Sequence, residues 1–155
     1  MPTRKLERFL DENHVKYVTL SHSQAFTAQE IAAAAHLPGR EVAKTVMVEL
    51  DGELAMAVVP APRQVDLEAV RELADADRAD LADESEFETA FPECESGAMP
   101  PFGNLWGMQV YVDEALTRDE QISFNGGSHT ELVQIPYEEF ERLVHPRVGG
   151  ITAAD

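Results

Sequence analysis

The chain has 155 residues with 44% apolar residues, enough for one domain with a real core, and the composition excludes global disorder. Twenty-nine acids against twelve Lys and Arg give a formal net charge of −17, which repels nucleic-acid phosphates and argues against a duplex-DNA binder. The same charge also fits a general surface adaptation to a salty cytoplasm that says nothing about substrate.

No apolar run approaches a membrane span, and the start Met1-Pro2-Thr3-Arg4-Lys5-Leu6 lacks a signal-peptide core, so a cytoplasmic location is the default expectation. The single cysteine, Cys94, excludes an internal disulfide and a cysteine-based metal site. His14, His22, His36, His129 and His145 lack metal-ligand spacing, so neither a metal nor another cofactor is expected.

In chain order, Leu6, Phe9 and Leu10 predict a helix running to about Asn13, and Val15 to Leu20 alternates as a short strand. Thr27-Ala28-Gln29-Glu30 is a capping box for an alanine-rich helix that Leu37-Pro38-Gly39 stops. Lys44 to Leu50 and Leu54 to Val59 read as a hairpin around Asp51-Gly52. Asp66 caps a helix through Leu73, and a short helix is expected over Glu84 to Ala90. Pro92 to Gly107 is rich in Pro and Gly and is expected to be helix-free. Met108 to Val112, Ile122 to Phe124 and Glu131 to Ile135 are predicted strands. Pro136 opens a last helix, and residues 146–155 are expected to form a loose tail. The result is a single mixed α/β domain over residues 1–155, and with no heptad seam a monomer is the simpler expectation.

Lys44 stands out. Alternation puts it on one strand face with Val46, Val48 and Leu50, an apolar face that should point inward. Its ammonium either snorkels to the rim or lines a pocket. Two loops invite the same question. In Gly97-Ala98-Met99-Pro100-Pro101-Phe102-Gly103 the prolines fix the backbone, leaving exposed amides and a pocket-wall phenylalanine, or simply a connecting loop. Phe124-Asn125-Gly126-Gly127-Ser128-His129 is either a hairpin turn or a nest of N–H groups for an oxygen of the substrate.

Taken together, Val42-Ala43-Lys44-Thr45, the hairpin ending in Val58-Val59-Pro60, Gly97 to Gly103 and Asn125-Gly126-Gly127 resemble the YbaK/EbsC family of free-standing aminoacyl-tRNA deacylases. These are related to the editing domain of bacterial prolyl-tRNA synthetases. The resemblance covers nearly the whole chain. It implies a curled mixed β-sheet approaching a barrel with helices around it. It further implies hydrolysis of the ester joining a wrong amino acid to the 3′ end of a transfer RNA.

Carried over by motif, Lys44, Gly97 and Asn125 are the implied catalytic positions. His22, Phe26, Thr27, Ala98, Met99, Pro100, Pro101, Phe102, Gly126, Gly127, Ser128 and His129 are the implied substrate contacts. Lys44 would bind a terminal phosphate or the carbonyl oxygen, amides near Gly97 to Met99 would hold the oxyanion, and the substrate's 2′-hydroxyl would activate water. Asn125 stands where some members have serine, and Leu132 where cysteine-releasing members have an acid. The implied substrate therefore carries alanine, serine or threonine, with Phe26, Met47 and Met99 as positions able to reset specificity.

The implied partners are the aminoacyl-tRNA acceptor end and a synthetase or elongation factor. Arg40, Arg63 and Arg118 could otherwise gather as a basic rim for the RNA. The alternative is a non-catalytic binding module of the same fold for an aminoacyl or nucleotide fragment or a protein partner. Cys94 paired with His129 is the weaker catalytic candidate, Trp106 reads equally as core or platform, and Asp113 reads as a cap.

Overall fold

A computed structural model describes residues 3–21, 42–95, 97–128 and 130–153. The helix expected after Thr27, together with His22, Phe26, Arg40 and His129, lies outside these residues.

Helix α1 (Arg4–Glu12) starts at Thr3, whose hydroxyl accepts from the Leu6 amide at 3.2 Å, and it buries Leu6 and Leu10. It leads to β1 (Val18–Ser21), shorter than expected. Strands β2 (Ala43–Leu50) and β3 (Glu53–Pro60) form the hairpin, and its turn takes positive φ at both Asp51 (52°) and Gly52 (86°). The Asp51 carboxylate accepts from the amides of Asp77 and Arg78, tying the turn to the segment before β4 (Ala79–Leu81).

Between them lies α2 (Leu67–Ala74), capped by Asp66, whose carboxylate accepts from Glu68 and Ala69. Helix α3 (Glu84–Phe87) is one turn and passes into a 3₁₀ turn over Glu88–Ala90. The stretch expected to be helix-free holds a 3₁₀ turn, Gly103–Trp106. A Cβ on Gly103 would lie 2.8 Å from Val110 Cγ2, so only glycine lets this turn pack against the following strand. Then follow β5 (Gln109–Asp113), β6 (Gln121–Asn125), β7 (Glu131–Pro136), α4 (Tyr137–Val144) and β8 (Arg147–Gly149). Pro136 ends β7 and is the N-cap of α4, not its first residue.

The strands form two sheets, β1-β7-β6 and β4-β2-β3-β5-β8. The first is antiparallel; the second is mixed, with β5 parallel to both β3 and β8. A single parallel bridge between Val42 and Ser123 joins them into one curled surface that does not close as a barrel among the described residues. Alternation divides the core. Met47, Met56, Val58, Val110, Val112, Ile122 and Phe124 face one cluster, with Phe102 touching Phe9, Phe124 and Phe140. Val48, Ala57, Val59 and Tyr111 face the other, against Val70 of α2 and Ile151.

The expected loose tail is instead built in. Ile151 is fully buried, its amide donates to Asp113 Oδ1 at 2.9 Å, and its carbonyl accepts from Asp66. Thr152 bridges Val65. Apolar burial at Ile151, together with these hydrogen bonds, outweighs the entropy of ordering a short terminal strand.

Candidate functional site

Lys44 is half-buried at the start of β2, directly opposite the fully buried Val59, and shares its face with Val46, Val48 and Leu50 as the alternation predicts. Partial burial lowers the pKa of its ammonium below the ordinary lysine value. The bridge between Val42 and Ser123 runs parallel, so two residues further along both chains lie Lys44 and Asn125. By alternation these two occupy the same face of the joined sheets.

That face continues across β6 and β7. Gln134 Nε2 donates to Ser123 Oγ at 3.1 Å, Ser123 is fully buried, and Leu132, the residue paired with Asn125, is fully buried as well. Asn125 Oδ1 is buried and has no hydrogen-bond partner among the described residues. An orphaned buried carbonyl costs about 1–3 kcal/mol, and a donor arriving from outside would recover it.

The loop after Asn125 is held by backbone bonds. The Thr3 amide donates to the Gly126 carbonyl at 2.9 Å, and the Glu95 amide to the Gly127 carbonyl at 2.8 Å. Gly127 has φ of 117°, and a Cβ there would lie 2.5 Å from Thr3 Cγ2, so the turn requires glycine. Ser128 Oγ contacts Thr130 Oγ1 at 2.8 Å and accepts from its amide, which commits this hydroxyl to closing the turn.

Glu95 also links the second loop, because its carbonyl accepts from the Ala98 amide at 3.0 Å. Gly97 is exposed, with φ of 83°. The Gly97 loop is therefore one hydrogen-bonded turn from the Gly126–Gly127 turn, which directly follows Asn125. Three elements distant in sequence are joined in this way.

Several expected contacts fall elsewhere. Phe102 and Ala98 are fully buried, and Phe102 is the centre of an aromatic cluster, so it serves the core. The Ala98 amide is already engaged and is not available to an oxyanion. Pro100 and Pro101 are buried, and Met99 is nearly so, lining a cavity of about 150 Å³ with Phe87, Phe91 and Cys94. Met47 points to the opposite face from Lys44, into the main core.

Arg118 lines a groove with Asp119, Glu120, Glu138 and Glu141, so it sits among acids and not in a basic rim. Burial, and then the nearby Glu93, push the Cys94 thiol up to about 11, which keeps it protonated and a poor nucleophile. Asp113 caps the turn after β5 by accepting from Ala115, as expected. Trp106 is half-buried against Phe91, with ring centroids 4.7 Å apart.

The sequence reading overlooked Thr3, Glu95 and the Ser123–Gln134 pair, all of which reach the site through backbone or buried contacts. Only the parity of Ser123 and Gln134, polar on predicted strands, could have flagged them.

A fold of this kind, two sheets joined at Val42 and Ser123 with a half-buried lysine at the start of β2, defines a class. The aminoacyl-tRNA editing domain family matches residues 22–143, and the chain belongs to that family. Among solved structures it resembles a protein proposed as a trans-editing enzyme for prolyl tRNA synthetase, at 21% identity with a TM-score of 0.83, covering 97% of this chain and 96% of that one. It also resembles the hypothetical protein APE2540, at 20% identity with a TM-score of 0.86, covering 97% of this chain and all of the other. A computationally designed epitope scaffold shares 21% identity over 98% of this chain and 97% of its own, with a TM-score of 0.82. These likenesses show the fold. No curated protein matches the chain.

Proposed function

We propose that this protein is a trans-editing hydrolase that cleaves the ester of a mischarged aminoacyl-tRNA carrying a small amino acid. The observation that supports the reading is the register of the Val42–Ser123 bridge, from which Lys44 and Asn125 lie two residues further along on the same face, inside the region matching the editing family.

Ester hydrolysis at a tRNA terminus needs positioning, charge for the developing oxyanion, and a water. Lys44 supplies a partly desolvated point charge for the carbonyl oxygen or the terminal phosphate, stronger there than in bulk water. Asn125 Oδ1 accepts a hydrogen bond from the substrate, from its α-ammonium or ribose hydroxyl. Gly97, exposed and in the left-handed region, lets the substrate approach its backbone closely. The 2′-hydroxyl of the terminal adenosine takes the part of general base relay, with water attacking the carbonyl carbon and the 3′-oxygen leaving with a proton. Leu132 in place of an acid on this face supports a small, uncharged or hydroxyl-bearing side chain over cysteine.

The test is deacylation of Ala-, Ser-, Thr- and Cys-charged proline, alanine and threonine tRNAs by wild type and Lys44→Ala. Selective release that falls by about 10²-fold or more in the variant is expected. Full activity in Lys44→Ala would remove the lysine from the mechanism. Absence of release from every substrate at low and high salt would leave the binding-module reading.

A further inference from the structure

The distribution of charge is uneven in a way that the net value hides. Residues 1–21 carry four cations against three acids, while the remainder of the chain carries eight against twenty-six. Arg4, Lys5 and Arg8 are all exposed on the first two turns of α1 and line one groove of about 460 Å³ with Phe9 and Leu105. Glu12, a turn beyond Arg8, and Glu93 also line it, so the positive part is confined to the start of the helix. Lys5 Nζ stands 5.2 Å over the ring centroid of Trp106, the only tryptophan.

Arg4 and Lys5 in the first turn oppose the helix macrodipole, as do the acids Asp11 and Glu12 at the other end, against one favourable acid, Glu7, in the first turn. The balance runs against what helix stability favours, which calls for another reason. Position gives one. Thr3, the residue before Arg4, is hydrogen-bonded to Gly126 beside Asn125, and Leu105 and Trp106 continue directly from the Gly97–Gly103 element. The groove is bracketed by both loops of the candidate site.

We infer that Arg4, Lys5 and Arg8 form the docking surface for the phosphate backbone of the RNA acceptor stem, holding it while its 3′ end reaches Lys44 and Asn125. This rests on the hydrolase reading above for the identity of the RNA. It also answers how a chain of charge −17 engages a polyanion: through a local patch and a few phosphates. Backbone contacts of this kind position the substrate without reading sequence.

The experiment uses an uncharged, fluorescein-labelled acceptor-stem RNA hairpin ending in CCA, titrated at 25 to 200 mM salt. Wild type is compared with Arg4→Gln/Lys5→Gln/Arg8→Gln and with a control, Arg78→Gln/Arg118→Gln/Arg147→Gln, of equal charge change elsewhere. Expected is a loss of about tenfold or more in affinity at low salt for the α1 variant alone, with the slope of log K against log salt shallower by roughly 2–3. Trp106 emission should change on RNA addition to wild type, and the α1 variant should melt no lower than wild type because its cations oppose the dipole.

Equal losses in both variants, an unchanged α1 variant, or no binding by wild type would overturn the inference. Parallel assays separate it from the hydrolase reading. The α1 variant should raise KM for mischarged tRNA while leaving cleavage of a short aminoacyl-adenosine ester intact. RNA binding through α1 with no ester cleavage by wild type would sink the hydrolase and keep the docking surface.

Discussion

Lys44 holds an ammonium in a partly buried position, where burial and charge oppose each other. Its pKa in the folded protein is lowered by burial, so unfolding takes up a proton between that lowered value and 10.5. Stability contributed by this group therefore rises with pH through that window, and below the window the buried charge is a net cost. Lys44→Met should raise the Tm at pH 7, an advantage that shrinks as pH climbs into the window, while deacylation is lost. Differential scanning fluorimetry at pH 7 and 10 reads the sign directly, and a lower Tm at pH 7 would contradict it. If the cation is the catalytic form, wild-type activity falls as pH rises through the lowered value. The inward face of Lys44 was legible from alternation alone. Its neighbour across the bridge was not, because one isolated pairing between distant strands leaves no periodic trace.

At the scale of elements, the sequence carried the hairpin and the helix capped by Asp66 well, since Asp51-Gly52 and Asp66 act through local geometry. The loops were legible as loops, but their buried sides were not. Phe102 looked available because prolines and glycines surround it, whereas three distant phenylalanines enclose it. The join between α1 and the Gly126–Gly127 turn is a similar long-range contact with a sharp test. Gly127→Ala forces a Cβ against Thr3 Cγ2 at positive φ, and should cost about 1–3 kcal/mol in urea denaturation. Thr3→Ser in that background removes the clashing methyl and keeps the capping hydroxyl, so part of the loss should return. No recovery would mean that backbone strain alone sets the cost.

For the whole molecule, the C-terminal strand decides how the second apolar layer is sealed. Ile151→Ala should lower stability by about 2–5 kcal/mol, as for other fully buried aliphatic residues, and urea melts would check it. A change under about 1 kcal/mol would show that the segment after Pro146 lies on the surface without being needed. The sequence suggested the opposite of what is found there, since residues 146–155 read as a loose tail. Parallel pairing of so short a strand is set by its distant partner β5, not by its own composition.

That pairing also orders events during synthesis. Strands β2, β3 and β5 can associate as they leave the ribosome, but the layer between the sheet and α2 lacks Ile151 until residues 147–152 emerge. Until then Val70 and Tyr111 keep a wettable edge, and contacts this far apart along the chain close slowly. A nascent chain stalled before this point would hold an open seam that proteases and chaperones can read, and residues 147–152 latch the layer once they have been made.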